Sequence, residues 1–383
     1  MSEPNPEGSG EGALTANRRA FIAGAAVATA AAIVGSSQAK AAQTVPVLAM
    51  SRELGPDIST TVTKSVRRIV TLEEHCWAPP LRATVDRAPL EFMDRFTAGR
   101  LYDVGEARIK RMDAAGIDLQ VLSFMSPGVQ GLDAARAVSI ARAANEWIAD
   151  VAKTYPTRFA AFAGLPTQDA KAAADELERA VVKLGCKGAL VNGHTQGHYL
   201  DERPWRVLWE RAQALDVPIY IHPADAPRPV LDAYFKEYPE LAGAAWGWGI
   251  DMGTHVLRLM CSGLFDAYPK AKVIVGHMGE LIPFHIKRIN RGLSGARTKE
   301  GAVMKRTVYE YMHDNVFVTT SGVFDHASLS CAIAAVGVDN VLFSVDDPFE
   351  DNASGVAFLQ SAPVSAADRE KLAHGNAERL LRV

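Results

Sequence analysis

The segment Ile69–His75, with the sequence IVTLEEH, is the most informative part of the chain because it joins a strand pattern to candidate ligands. Its first four residues form a short apolar run that predicts a buried strand, and Glu73 and His75 follow at its end. Side chains two residues apart on an extended segment project from the same face. A carboxylate and an imidazole on one face can bind a divalent metal ion; a charged strand end turning into solvent is the alternative.

Seven further short apolar runs follow, separated by longer stretches, most of them with helical periodicity. The predicted strands span residues 69–72, 118–123, 159–164, 187–192, 217–222, 272–277, 316–319 and 341–344. Eight alternations of strand and helix over residues 68–383 predict an α/β fold, a single (β/α)8 TIM barrel. A doubly wound open sheet is the alternative, but no glycine-rich dinucleotide fingerprint follows the first strand.

Polar residues directly follow four of these strands, at the carboxyl ends where a barrel presents its catalytic groups. Beyond Glu73 and His75, His222 ends the fifth strand, His277 ends the sixth and Asp346 follows the eighth. For one histidine alone, a hydrogen-bonded strand-end side chain is the simpler interpretation. Two imidazoles and two carboxylates from among these five residues suit one divalent ion, Zn²⁺ or Mn²⁺, in a mixed nitrogen and oxygen site.

A long insertion, residues 223–253, is predicted after the fifth strand. It contains Tyr234, Phe235, Tyr238, Trp246 and Trp248, too many aromatic side chains for a bare solvated loop. The insertion is therefore expected either to cover the site as a lid or to form a subunit interface.

The composition is that of a soluble globular enzyme, with 48% hydrophobic and 22% charged residues among 383. The net charge is −3 and no long basic run occurs, so nothing indicates binding to nucleic acid or to an acidic membrane surface. The four cysteines are scattered and form no C-x-x-C pair, which gives no sign of a zinc knuckle or a redox motif.

The first 41 residues have the order of an export signal. Arg18 and Arg19 precede Phe21 and an alanine-rich apolar run, and a small, polar segment follows. The paired arginines resemble a twin-arginine signal, and the run is too short and too weakly apolar for stable membrane insertion. Residues 1–41 are therefore predicted to direct the protein to the periplasm or another extracytoplasmic space, with residues 42–67 as a linker. A flexible alanine-rich leader helix is the alternative.

Several motifs resemble the amidohydrolase superfamily, and most of all its metal-dependent hydroxybenzoate decarboxylases of the γ-resorcylate type. The resemblance covers roughly residues 68–383. An opening Glu-x-His, where hydrolytic members usually have His-x-His, is typical of the decarboxylase branch. The matching segments are Leu72–His75, Leu190–Gly193, Asp216–Pro223, Leu257–Met260, Gly276–Glu280 and Asp346–Glu350.

The resemblance implies a role for each matching position. The implied metal ligands are Glu73, His75, His222 and Asp346. The implied catalytic residues are Asp346, His277, Glu280 and Arg288. The implied substrate-binding residues are Asn192, Arg288, Phe349 and Trp77. For Arg288 a surface helix charge is the alternative, and for Asn192 a turn residue is the alternative.

Three features depart from the pattern. Cys76 and Trp77 follow the opening motif in place of a phenylalanine and a small residue, Asp225 adds an acidic group after His222, and Asp347 replaces an aromatic or apolar residue beside Asp346. Each is expected to bear on the choice of substrate.

The resemblance implies non-oxidative decarboxylation of a hydroxybenzoate-type aromatic acid. In that reaction one metal ion, Zn or Mn, chelates the carboxylate and the ortho hydroxyl while Asp346 protonates the ring carbon. Two alternatives stay open: a metal-dependent hydrolase of an ester, amide or lactone, and a non-catalytic barrel that binds an aromatic acid. A homodimer or homotetramer is expected.

Overall fold

A computed structural model describes residues 65–299, 301 and 303–383. The predicted export signal and nearly all of the predicted linker lie outside the described residues. Within the part that is described, no helix is both long enough and apolar enough to cross a membrane.

The strands are all parallel and follow one another in the order of the chain, as a (β/α)8 barrel requires. The third barrel strand is divided in two by a break at Phe162, so the strand pairing forms one group of three strands and one of six. The strands span Val70–Cys76, Leu119–Phe124, Phe159–Ala161 with Ala163–Gly164, Ala189–Asn192, Ile219–His222, Val273–Val275, Val316–Thr319 and Val341–Leu342. The predicted fold class is confirmed, although most strands begin or end a residue or two away from the predicted bounds.

Helices surround these strands. They span Pro79–Arg82, Arg87–Phe96, Glu106–Ala115, Ala134–Thr154, Ala170–Arg179, Arg206–Leu215, Arg228–Tyr234, Gly247–Cys261, Leu264–Ala267, Ile282–Leu293, Val308–Asn315, His326–Val336, Asn352–Ser361, Ala366–Glu370 and Asn376–Leu381. The predicted insertion is shorter than expected, because its last seven residues are the first two turns of the helix Gly247–Cys261.

The strands are buried on both faces, which is why they read as continuous apolar runs. Alternate side chains such as Val70, Leu72 and Val121 form an inner cluster with Tyr220 and Ile274. The opposite faces of the strands pack on the helices in a larger outer cluster. Inward-facing positions near the carboxyl ends of the strands therefore lie on top of a filled barrel.

The first strand contains an irregularity that determines which side chains face inward. Thr71 pairs with Gln120 and Glu74 pairs with Leu122, so Leu72 and Glu73 together lie opposite a single residue, Val121. An extra residue of this kind re-aims the strand beyond it, and such bulges are common beside active sites.

The end of the eighth strand lies against the first strand. The His75 N–H donates to the Asp347 carbonyl at 2.7 Å. The Leu72 N–H donates to Ser344 Oγ at 3.3 Å. These contacts bring the loop that carries Asp346 beside the segment that carries Glu73 and His75.

Candidate metal centre

Four side chains from three strand ends converge on one point. Glu73, His75, His222 and Asp346 each offer one ligand atom, and these atoms all lie within 4.8 Å of one another. His75 Nε2 is 3.2 Å from Asp346 Oδ1, and His222 Nε2 is 3.3 Å from Glu73 Oε1. The structure therefore brings together all four residues that the sequence indicates as metal ligands.

The donor atoms of this group fit a divalent cation. Glu73 Oε1, His75 Nε2 and Asp346 Oδ1 are buried, and none has a hydrogen-bond partner among the described residues. Buried polar atoms nearly always have a partner, so three unpaired atoms that face one another call for an ion between them. Two imidazole nitrogens and two carboxylate oxygens suit Zn²⁺ or Mn²⁺.

The ring nitrogens that face away from the centre are held by neighbouring side chains. Ser123 Oγ is 3.1 Å from His75 Nδ1, and Asn192 Oδ1 is 2.8 Å from His222 Nδ1. Since an amide oxygen only accepts, Nδ1 of His222 carries the proton and Nε2 presents its lone pair to the centre. Asn192 was expected to line the pocket for substrate. Its side-chain oxygen orients a candidate ligand, and its Nδ2 donates to the Phe124 carbonyl at 3.4 Å. Contact between Asn192 and substrate stays a prediction.

The second oxygen of Glu73 is surrounded by hydroxyl groups inside the barrel. Glu73 Oε2 accepts hydrogen bonds from Tyr220 and Ser321, and from Thr319 Oγ1 at 3.2 Å. Burial raises the pKa of Glu73, whereas His277, His75 and the Ser321 hydrogen bond lower it. These partners are not among the residues predicted from the sequence, although the polar run at the end of the seventh strand, Thr319–Ser321, could have indicated two of them.

His277 lies beside the four residues and is oriented by Glu280. Its Nδ1 is 2.6 Å from Glu280 Oε1, and its Nε2 is 3.6 Å from Glu73 Oε1 and 3.9 Å from Asp346 Oδ2. Burial alone would lower the pKa of His277, but the surrounding carboxylates, Glu280 foremost, raise it well above its ordinary value. Burial would raise the pKa of Asp346, yet the neighbouring imidazoles of His277 and His75 bring it below its ordinary value.

The backbone around this histidine is conformationally unusual. All five residues from 277 to 281 have positive φ angles, and only Gly279 among them is a glycine. Left-handed conformations of this kind are costly for residues with a side chain and persist where the surroundings impose them, often at functional sites.

The aromatic residues predicted to contact substrate occupy different environments. The ring of Phe349 meets the His75 ring edge-on at 5.8 Å, and Phe96 lies 6.1 Å from Phe349, so this pair borders the centre. Trp77 is buried and stacks on Tyr102 at 6.0 Å within the hydrophobic core. A direct role for Trp77 with substrate stays a prediction.

Arg288 does not contribute to the cluster of four candidate ligands. Its side chain is exposed on the helix Ile282–Leu293. Among the described residues, no hydrogen bond or ion pair joins it to the four candidate ligands. Its predicted contact with substrate therefore stays a prediction.

The three departures from the family pattern have structural explanations. Asp347 is buried and forms an ion pair with Arg108, with Nη2 and Oδ2 3.0 Å apart. Cys76 is buried, with Sγ 3.4 Å from the Ser123 carbonyl. Asp225 accepts a hydrogen bond from Trp248 Nε1 at 3.1 Å. Asp347 and Cys76 thus belong to the packing around the centre, whereas Asp225 anchors part of the aromatic insertion.

Comparison with known proteins agrees with the fold and identifies the family. The amidohydrolase family matches residues 74–383. A γ-resorcylate decarboxylase from a Polaromonas species is 41% identical over 291 residues, which are 74% of this chain and 89% of that protein. The crystal structure of 2,6-dihydroxybenzoate decarboxylase complexed with 2,6-dihydroxybenzoate has a TM-score of 0.75 and 37% identity, covering 83% of this chain and 100% of that one. A dihydroxybenzoic acid decarboxylase from Polaromonas with bound manganese and the inhibitor 2-nitroresorcinol has a TM-score of 0.75 and 38% identity, covering 83% and 97% of the two chains.

This chain belongs to the amidohydrolase family. Within that family it groups with the γ-resorcylate decarboxylases, as the opening Glu-x-His predicts.

Proposed function

We propose that this protein is a metal-dependent, non-oxidative decarboxylase of a hydroxybenzoate-type aromatic acid. The observation that carries the proposal is the convergence of Glu73, His75, His222 and Asp346. Three of their buried ligand atoms have no hydrogen-bond partner in the described part of the chain. An additional carboxylate lowers the charge on a bound ion compared with an all-histidine site, which makes the site less suited to generating hydroxide. The decarboxylases among the similar proteins support the same assignment.

The protein's own residues supply positioning and proton transfer. A divalent ion bound here would provide Lewis acidity and a point of chelation for the carboxylate and an adjacent phenol oxygen. Phe349, edge-on to His75, borders the space beside the centre and would contact the aromatic ring. Holding the ring in one orientation lowers the entropic cost of protonating a single carbon.

Decarboxylation needs a proton at the ring carbon that bears the carboxylate; the carbon–carbon bond then breaks and CO₂ leaves as aromaticity returns. Asp346 is the proposed donor of this proton. His277 lies 3.9 Å from Asp346 Oδ2 on one side and is hydrogen-bonded to Glu280 on the other. The arrangement can pass a proton to Asp346 while the His277 ring keeps a fixed orientation.

The test is a panel of hydroxybenzoates incubated with metal-loaded enzyme under nitrogen, with CO₂ as the measured product. In heavy water the arene should carry deuterium at the carbon that lost its carboxylate. Asp346→Asn should lower the rate at least ~10²-fold, the usual effect of losing a general acid. No CO₂ from the panel, combined with metal-dependent cleavage of esters or lactones, would establish a hydrolase instead.

The metal is proposed to be Mn²⁺ or Zn²⁺. The mixed donor set suits either ion, and a solved relative carries manganese. Metal analysis of protein purified without chelators, followed by reconstitution of the apoprotein with each ion separately, distinguishes the two.

Export by residues 1–41 is also proposed, on the strength of Arg18-Arg19 ahead of an apolar run. Replacing both arginines by lysine should leave folded precursor in the cytoplasm, as fractionation and immunoblotting would show. Normal export of that variant would argue against a twin-arginine signal.

A homodimer or homotetramer is proposed from the exposed apolar side chains near the insertion. Phe284 is 79% exposed, and Tyr234, Tyr238 and Trp246 are also exposed. Exposed aromatic side chains are enriched at subunit interfaces. Light scattering should show an oligomer for the native chain and a smaller species for Phe284→Asp; a monomeric native chain would refute the proposal.

A further inference from the structure

Glu74 lies between two candidate ligands but faces the opposite side of the first strand. The extra residue at Leu72–Glu73 places Glu73 and His75 toward the barrel interior, and Glu74 pairs with Leu122 of the outer cluster. Its side chain is completely buried. A buried carboxylate is costly unless its oxygens accept hydrogen bonds, so its partners indicate what it does.

Those partners lie on both sides of Asp346. Glu74 Oε1 accepts from Ser344 Oγ and from the Val345 N–H, each at 3.1 Å. Glu74 Oε2 accepts from the Asp347 N–H at 3.1 Å. One carboxylate therefore holds the backbone immediately before and immediately after the candidate ligand.

Asp346 needs such support because of its backbone. Its φ angle is +79°, a left-handed conformation that a residue with a side chain rarely adopts. Positions of this kind cost about 1–3 kcal/mol and persist only when their surroundings determine them. Three hydrogen bonds hold the loop in place. The N–H groups of Val345 and Asp347 donate to Glu74, and the His75 N–H donates to the Asp347 carbonyl at 2.7 Å.

Arg108 completes the arrangement from the helix Glu106–Ala115. Its Nη1 donates to the His75 carbonyl at 2.8 Å, and its Nη2 is 3.0 Å from Asp347 Oδ2. Its Nε donates to Gln120 Oε1 at 2.6 Å, and Gln120 Nε2 donates to Glu74 Oε2 at 3.4 Å. The guanidinium thus contacts the segment that carries His75 and the loop that carries Asp346. Its positive charge compensates the buried carboxylates of Glu74 and Asp347.

We infer that Glu74 and Arg108 are positioning residues that hold Asp346 and His75 in the geometry required to bind the metal ion. The inference rests on the part of the proposed function that makes Asp346 and His75 metal ligands. It does not depend on which aromatic acid is the substrate. Neither Glu74 nor Arg108 faces the centre, so both act through the residues they hold.

The test is the affinity of apoprotein for Mn²⁺, measured by the electron paramagnetic resonance signal of the free ion. All four groups that contact the Glu74 oxygens are donors, so Glu74→Gln must turn its own NH₂ toward at least one of them. We expect Mn²⁺ to bind about 10- to 100-fold more weakly, the usual effect of losing a partner behind a metal ligand. Unchanged affinity would overturn the inference.

Glu176→Gln is the matched control. Glu176 is another buried carboxylate, bound to Asn145 and Arg179 in the outer helices away from the centre. It should lower the melting temperature without weakening Mn²⁺ binding. Equal loss of Mn²⁺ affinity in both variants would mean that general destabilisation is the cause, and would also overturn the inference.

A double-mutant cycle separates positioning from a merely structural role. If Glu74 acts through Asp346, Glu74→Gln should cause almost no further loss of Mn²⁺ affinity once Asp346 is replaced by alanine. Full additivity would contradict the inference. Should Glu74→Gln fail to fold, Arg108→Lys in the otherwise native chain tests the inference by its Mn²⁺ affinity, because lysine keeps the charge but cannot reach three acceptors at once; unchanged affinity would overturn the inference.

The Mn²⁺ affinities of these variants can be interpreted without the decarboxylase assay. Native protein that binds Mn²⁺ but releases no CO₂ would refute the proposed reaction and leave the cycle to decide the positioning role. Native protein that binds neither Mn²⁺ nor Zn²⁺ would refute the metal centre and this inference together.

Discussion

Asn192 offers a demanding test of the metal centre, because it is buried and touches a candidate ligand without being one. In Asn192→Ala, the His222 Nδ1–H loses the acceptor that lies 2.8 Å away. Without metal, the imidazole can move its proton to Nε2 or rotate. With metal bound, Nε2 must present its lone pair, so the proton stays on Nδ1 with no partner. The cost therefore falls on the metal-bound state.

A buried donor left without an acceptor costs about 1–3 kcal/mol. At about 1.4 kcal/mol for each factor of ten, Mn²⁺ should bind about 5- to 150-fold more weakly. Isothermal titration of the apoprotein with Mn²⁺ measures this directly.

Asn145→Ala is the control, since Asn145 is also buried but bonds Gly164 and Glu176 instead of a ligand. It should destabilise the fold and leave Mn²⁺ affinity unchanged. If Asn192→Ala binds Mn²⁺ as tightly as the native protein does, then His222 is not a ligand through Nε2 and the centre is wrongly described.

Three further results are expected. His222→Ala should remain folded by circular dichroism but lose most of the roughly one divalent ion per chain found in native protein by metal analysis. Gly276→Ala should weaken metal binding, because its new Cβ would lie 2.9 Å from Glu73 Oε2, and titration with Mn²⁺ would detect this. Mn²⁺ at 100 times its dissociation constant should raise the free energy of unfolding of the apoprotein by about 2.7 kcal/mol, measurable by denaturant titration.

Much of the fold and the ligand set could be predicted from the sequence. A strand buried on both faces must be apolar throughout, so eight short apolar runs separated by longer stretches were visible without coordinates. The carboxyl ends of parallel strands meet at one end of a barrel. Residues as far apart in the chain as Glu73 and Asp346 could therefore be assigned to one site from their positions alone.

Side-chain direction and long-range partners depended on tertiary structure. The extra residue at Leu72–Glu73 appears only in the pairing with the second strand, and it lets Glu73 and His75 face the barrel interior although Val70 and Leu72 do so too. The departure at Asp347 suggested a change of substrate, but its partner, Arg108, lies 239 residues earlier in the chain and no local pattern links them.

The exposure of Arg288 was likewise decided by packing, because its helix presents the side chain to solvent. The contact with substrate that the resemblance implies for Arg288 stays a prediction. Periodicity and strand ends are properties of neighbouring residues and can be read along the chain. Hydrogen bonds between distant segments form only after packing has selected one arrangement, and for that reason they had to be seen in the folded structure.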